Sequence, residues 1–420
     1  MNVKSTFENA SFKDFENIPG MGIFERAKEL NAFLLYLKEN NRHHYRKINY
    51  DMSGPMVRHI GPDGKEKELL NLVSNDYLGF SQHPAVKKAA IDSIQQYGTG
   101  AGSSPLIGGH YDYHEELERK LCHFFGRPEG CSLVFTTGYT ANSATLQALL
   151  QKEDIAIMDM AVHASVYEGC LLTNTKRFLH NNLEMLEMAL KDAQFKYRNK
   201  LVIIDGIYSQ DGDMAHVREI LQLCRQYGAL LMLDDAHGIG VIGANGRGVL
   251  EHLDLLQEID IITGTLSKSF GNIGGFVISS PEMIAFLQYQ SRQYAFSAAA
   301  TPAISGVVKA LELFDEEPIW RHRLRENIEY FKKGLTDMGL DVGNTCSAII
   351  PVKIGDPHKT GQVGKMLLEF GIYANPILYP AVSKKDARIR MSLMATHNCE
   401  QLGKALEAFE FINKKLELAN

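Results

Sequence analysis

The run Ile259-Asp-Ile-Ile-Thr-Gly-Thr-Leu-Ser-Lys-Ser-Phe-Gly-Asn-Ile-Gly-Gly275 contains one basic residue, Lys268. An apolar, β-branched stretch ends in a hydroxyl-rich turn; the lysine follows, and then Gly271, Gly274 and Gly275. A lysine leaving a buried strand end is partly desolvated, which lowers its pKa and makes the amine a usable nucleophile. Glycines beside it let the backbone approach a flat or phosphorylated ligand closely. A second window, Ala229-Leu-Leu-Met-Leu-Asp-Asp-Ala-His-Gly238, is an apolar strand ending in Asp234, Asp235 and His237. Polar groups placed directly after such a strand face the crevice beyond the sheet's C-terminal edge.

Together the two windows suggest one chemistry. A buried carboxylate can hold a ring nitrogen protonated, an imidazole can hydrogen-bond a phenolic oxygen, and a lysine can form a Schiff base. Those are the groups that pyridoxal phosphate requires of its protein. Taken singly, each has a structural alternative: an N-cap carboxylate, a satisfied core histidine, a surface ion pair.

Further segments extend the match, and the chain resembles the α-oxoamine synthases from about Asn71 to its C-terminus. These are pyridoxal-phosphate-dependent (PLP-dependent) enzymes of fold type I that join an amino acid to an acyl thioester with loss of carbon dioxide. The segments are Ser74-Asn-Asp-Tyr-Leu-Gly79, Thr136-Thr-Gly-Tyr-Thr-Ala-Asn142, Asp159-Met-Ala-Val-His-Ala-Ser-Val166, Asp205-Gly-Ile-Tyr-Ser-Gln-Asp-Gly212, Phe296-Ser-Ala-Ala-Ala-Thr-Pro302 and Arg388-Ile-Arg-Met-Ser-Leu-Met-Ala-Thr-His397. The resemblance implies that Lys268 carries the cofactor, Asp234 pairs with its ring nitrogen, His237 with its ring hydroxyl, and His163 stacks on the ring. It assigns the phosphate to Gly138, Tyr139 and Thr265, with Ser297 reaching a partner's phosphate across a homodimer interface. Asn75 and Arg390 are implied to bind the amino acid. Arginine suits that task because its planar fork matches a carboxylate.

Within the family, Arg390 to His397 and Asn375-Pro-Ile-Leu-Tyr-Pro-Ala-Val382 resemble serine palmitoyltransferase, and that branch is the expectation. The alternatives are 8-amino-7-oxononanoate synthase, using alanine and a pimeloyl thioester, or a cysteate-type acyltransferase. Outside the class stand a plain aminotransferase and an inactive partner subunit, although such subunits typically lack the lysine. One departure bears on substrate choice: Pro105 stands where many relatives carry an arginine. The acyl group is expected on coenzyme A or on a carrier protein.

Other signals are weaker. Gly238-Ile-Gly-Val-Ile-Gly243 matches a dinucleotide fingerprint literally, but Asp-Asp-Ala-His separates it from the strand and Ala244 to Gly248 reads as loop. His110 and His114 lack the glutamate of a helical zinc motif, so no metal is expected. The basic run from Asn41 to Lys47 is short, and a net charge of −6 argues against nucleic acid. Six cysteines without a C-x-x-C suit free thiols in a reducing compartment. No signal peptide or membrane-length apolar run is found, which leads to the expectation of a cytoplasmic protein.

The elements that must position these residues follow from periodicity. From about Asn71 to Ala300, short apolar strands alternate with helical stretches, predicting an α/β fold with a mostly parallel central sheet and helices on both faces. A smaller C-terminal α+β domain should follow. Ile304 to about Phe331 reads as helical and would link to it, and the domain itself would carry a strand at Ala348 to Ile354, a helix from about Gly361 to Phe370, the Arg388 to Leu393 strand and a closing helix from about Asn398. The amphipathic segment Phe24 to Lys38 predicts a helix in an arm longer than the family core requires, and Gly61-Pro-Asp-Gly64 predicts a hairpin turn. The expected division is 1–70 for the arm and a small-domain segment, 71–305 for the cofactor domain and 306–420 for the small domain.

Overall fold

The computed structural model describes residues 7–40, 42–61 and 64–419. Its centre is a seven-stranded sheet in the order Ser132–Phe135, Gly275–Ile278, Ile261–Thr265, Leu230–Asp234, Lys200–Asp205, Ile155–Asp159, Asn174–Phe178. Five neighbouring strands run parallel, and Gly275–Ile278 is antiparallel to both of its neighbours. The central strands read as continuous apolar runs because both faces are covered: Leu231, Met232 and Leu233 are fully buried. One face packs under the helices Gly138–Leu149, Ala164–Gly169 and Pro281–Gln290. The other carries Asp112–Phe124, Leu183–Ala193, Val217–Tyr227 and Ser305–Glu316.

Two three-stranded sheets complete the molecule. The hairpin Met56–Ile60 and Glu66–Asn71 pairs with Ile372–Tyr373, so the chain's beginning adds to its end. Residues 62 and 63 of the predicted hairpin turn lie outside the described residues. The second sheet has Arg388–Ser392 at its centre, between Ile349–Lys353 and Asn375–Ile377.

Ile304 to Phe331 is not one helix. Ser305–Glu316 stops at Glu317 and Ile319–Asp337 restarts after Pro318. Proline lacks the N–H needed for a continuous helix and disfavours helical backbone in the preceding residue. The helix expected from Gly361 begins at Pro357, capped by Asp356, whose carboxylate accepts from Lys359 N at 2.6 Å. The arm helix runs Ile23–Glu39 and buries Phe33 and Leu37 against Phe7 in a small core of its own.

Candidate active site

Three adjacent parallel strands end in a row. Asp205 is the register partner of Asp234, and Asp234 of Thr263; Thr265 and then Lys268 follow in the turn beyond. The sheet therefore delivers two carboxylates and a lysine to one edge. Asp234 is held by Asn142, whose Nδ2 donates to Oδ2 at 2.6 Å, and by the backbone N–H of Ala236 at 3.0 Å. The same Asn142 amide donates to Ser165 Oγ at 3.0 Å, and that hydroxyl is 2.8 Å from His163 Nδ1. His163, Ser165, Asn142 and Asp234 thus form one connected polar chain, which fixes the orientation of each member.

Burial controls the charges. It pulls Lys268 down from 10.5 to about 8, with Asp234 opposing the shift and the charge of Arg390 adding to it. A neutral amine is then available near neutral pH. Burial, and next Asp234, push Asp205 well above the ordinary carboxylate range. Asp205 Oδ1 has no hydrogen-bond partner among the described residues. Burial lowers His163, with Asp234 opposing, and lowers His237 further with help from Lys268 and Arg390. The Nδ1 of His237 lies 2.6 Å from the hydroxyl of Tyr77, which fixes the ring.

Arg390 reaches this row from the small sheet. It lies on Arg388–Ser392, register partner of both Pro351 and Asn375. Its Nε donates to Ser209 O at 2.6 Å, Nη1 to Ser392 Oγ at 3.1 Å and Nη2 to Asn75 Oδ1 at 3.2 Å. The hydroxyl of Ser392 also donates to Asn75 Oδ1 at 3.0 Å. Asn75, Ser392 and Arg390 form a closed polar triangle, suited to presenting a guanidinium to a small carboxylate.

The helix Gly138–Leu149 aims its N-terminus at Thr265. Thr137 caps it, accepting from Thr140 N at 3.0 Å. A Cβ on Gly138 would lie 2.7 Å from Thr265 Cβ, and one on Gly275 2.3 Å from Thr137 O. Only glycines permit this approach, which sets free helix amides beside the Thr265 hydroxyl and makes an anion cradle. Tyr139 is more peripheral: its hydroxyl donates to Glu168, and its ring meets His163 edge-on at 5.8 Å. Ser297 lies exposed at the end of helix Arg292–Phe296, outside the cluster. An anion cradle, a carboxylate row and a lysine with a lowered pKa fit pyridoxal phosphate.

Tyr77, Asn142, Ser165 and Asp205 lie inside the motif segments, yet they are not among the expected site residues. The signal was there for Asp205, a carboxylate ending an apolar run just as Asp234 does. For Tyr77, Asn142 and Ser165 only the tertiary contacts distinguish them. Asp235 turns inward: its Oδ2 accepts from Val249 N at 2.8 Å, and Cβ atoms on Gly206, Gly238 and Gly248 would lie within 2.6 Å of its carboxylate. Gly238, the first glycine of the fingerprint-like segment, is therefore tied to a structural carboxylate. Pro105 opens a turn, Pro105–Gly109, in which Gly109 packs against the Ser103 carbonyl.

The model of the aminotransferase class I and II family matches residues 67–409. The 8-amino-7-oxononanoate synthase of Alkaliphilus metalliredigens is 41% identical over 377 residues, covering 89% of this chain and 94% of that protein. The 8-amino-7-oxononanoate synthase 1 of Bacillus subtilis is 38% identical over 392 residues, covering 93% and 98%. The solved serine palmitoyltransferase of Sphingomonas wittichii superposes with a TM-score of 0.88 at 30% identity, over 95% of this chain and 100% of that one. The chain belongs to the aminotransferase class I and II family and, within it, to the α-oxoamine synthases, pyridoxal-phosphate-dependent acyl-transferring enzymes.

Proposed function

We propose that this protein condenses alanine with a pimeloyl thioester, releasing the thiol and carbon dioxide, as an 8-amino-7-oxononanoate synthase does. The observation that carries this reading is 38–41% identity to synthases of that name across nearly the whole chain, against 30% to serine palmitoyltransferase. The expectation drawn from Arg390 to His397 and Asn375 to Val382 pointed to the serine branch. Within those segments Asn375 backs Arg390 as its register partner, and His397 accepts from Met394 N at 3.0 Å and sits 3.1 Å from Asn71 O. Asn375 and His397, engaged in such contacts, carry little information about a substrate side chain.

When bound, pyridoxal phosphate supplies an electron sink for negative charge at the amino acid's α-carbon. Arg390, framed by Asn75 and Ser392, grips the substrate carboxylate. Lys268, neutral above about pH 8, accepts the α-proton. Asp234, held by Asn142, would be the carboxylate that pairs with the cofactor's ring nitrogen. The α-carbon then bonds to the acyl carbon, the C–S bond breaks and the thiolate leaves, taking a proton from solvent; the carboxylate departs as carbon dioxide, and Lys268 returns its proton to the α-carbon. His163 and His237, whose pKa values are both lowered by desolvation, act as hydrogen-bonding partners rather than charges. The site faces a homodimer interface in this reading: Ile107, Ile273 and Phe296, on segments flanking it, are 76%, 60% and 72% exposed in the single chain.

Adding alanine, serine, glycine or cysteate in turn to the cofactor-loaded protein, with absorbance as the readout, tests the proposal. Alanine is expected to shift the spectrum at the lowest concentration. A response to serine alone would restore the serine palmitoyltransferase reading, which the TM-score of 0.88 favours. No response to any amino acid would sink both.

A further inference from the structure

Beyond the active site, the end of the arm and the outer face of the first small sheet enclose a groove of about 630 Å³. Lys38, Arg46, Lys47, His59, Lys67 and Lys365 line it, and Glu369 is the sole acid among its described lining residues. That is a local reversal of sign on a chain with a net charge of −6. The sheet sorts its charges by face. His59 and Lys67 are register partners turned into the groove, whereas Glu66 and Glu68 alternate to the other side and Glu66 pairs with Arg58 at 3.5 Å. Burial and then the charges of Lys38, Lys47 and Arg46 hold His43 down; burial, Lys47, His43 and Arg42 take His44 to about 4.

The groove is joined to the catalytic elements. Tyr45 forms part of its wall, and its hydroxyl donates to Pro376 O at 3.0 Å. Pro376 follows Asn375, the register partner of Arg390. A ligand seated here would meet Tyr45, which is hydrogen-bonded to the strand next to the one that carries Arg390.

Two anionic ligands have to be told apart. A nucleotide's phosphates call for converging backbone amides, a glycine turn or a helix N-terminus. The cations here are instead spread over the arm, the hairpin and helix Pro357–Glu369, with Ile48 (61% exposed) and Tyr50 (46% exposed) among them. Apolar contacts set within dispersed charge are the pattern of a protein interface that steers its partner electrostatically. We propose that this groove docks the acidic face of a carrier protein bearing the acyl thioester. The proposal rests on the reading above that the enzyme uses an acyl thioester.

The test compares the full-length protein with its Lys38→Glu, Arg46→Glu, Lys67→Glu variant on three donors: a pimeloyl thioester on a bacterial acyl carrier protein, on coenzyme A and on N-acetylcysteamine. The expected result is a loss of kcat/KM on the order of ten-fold or more with the carrier-protein donor, with the two small donors unchanged. An equal loss with coenzyme A makes the groove a phosphate site and overturns the proposal, as does a loss on all three donors or on none. Binding of the unloaded carrier protein, followed by fluorescence anisotropy, separates this idea from the assigned reaction. Binding that salt and the charge reversal both weaken supports docking even if pimeloyl transfer is absent, in which case the reaction assignment alone fails. No binding at low salt overturns the docking surface.

Discussion

At the scale of single residues, Lys268 and Arg390 do different jobs and should fail differently. Lys268→Ala removes the group proposed to carry the cofactor and move the proton, so turnover should drop by on the order of 10³-fold or more. The substitution removes a half-buried amine and leaves the surrounding packing, so the far-ultraviolet circular dichroism should stay that of the parent. Retained turnover would refute the assignment. Arg390→Lys keeps a positive charge but loses the planar fork that Ser209, Ser392 and Asn75 hold at 2.6–3.2 Å. Steady-state kinetics should show KM for the amino acid rising about ten-fold, with a smaller change in kcat. An unchanged KM would move the carboxylate anchor elsewhere.

At the scale of elements, the row of strand ends depends on a buttress behind it. His180, just past strand Asn174–Phe178, lies 3.3 Å from Asp159 Oδ1 and 2.9 Å from Asp213 Oδ2, its ring edge-on to Tyr208 at 4.3 Å. Burial alone would lower its pKa, but hydrogen bonds to Asp159 and Asp213 raise it from 6.5 to about 10. A folded-state value above the unfolded one stabilises fully below about pH 6.5, and that contribution is lost as pH rises through about 10. His180→Gln should therefore cost about 2 kcal/mol near pH 6. In urea unfolding followed by fluorescence, the gap from the parent should shrink above about pH 10. A gap independent of pH would show that shape, not charge, is what His180 contributes.

For the whole molecule, the single chain leaves Ile107, Ile273 and Phe296 in water beside its site, an arrangement that a second copy would relieve. Sedimentation velocity is expected to find a dimer for the parent and mostly monomer for Phe296→Glu, because a buried unpaired carboxylate opposes association. A Phe296→Glu protein that stays dimeric would place the interface on another face. The arm belongs to this scale as well. It carries its own aromatic core, with Phe15 stacked on Phe33 at 4.9 Å, and attaches to the small sheet by the Tyr45 hydrogen bond.

Much of this was legible in the sequence because the information was local. Apolar runs with polar ends announced the strands Leu230–Asp234 and Ile261–Thr265, and with them Asp234, His237 and Lys268. The closing helix Cys399–Leu416 was marked by Asn398, which caps it. The break at Glu317–Pro318 was readable from the proline and missed. Other features depend on pairs far apart in the chain. Tyr77 meets His237 160 residues away, Asn142 meets Asp234 92 away, and Asn75 meets Arg390 315 away. Such partners are chosen by strand order and helix placement, which no window of sequence contains. The same holds for the basic groove: Lys38, Lys67 and Lys365 are unremarkable in line and converge only when the arm, the first hairpin and a late helix pack together. The sequence by itself determined the cofactor chemistry and the sheet that presents it, because strand ends are written in consecutive residues. Tertiary structure alone decided which distant side chains orient those groups and where charge collects, because hydrogen bonding and electrostatics act through space rather than along the chain.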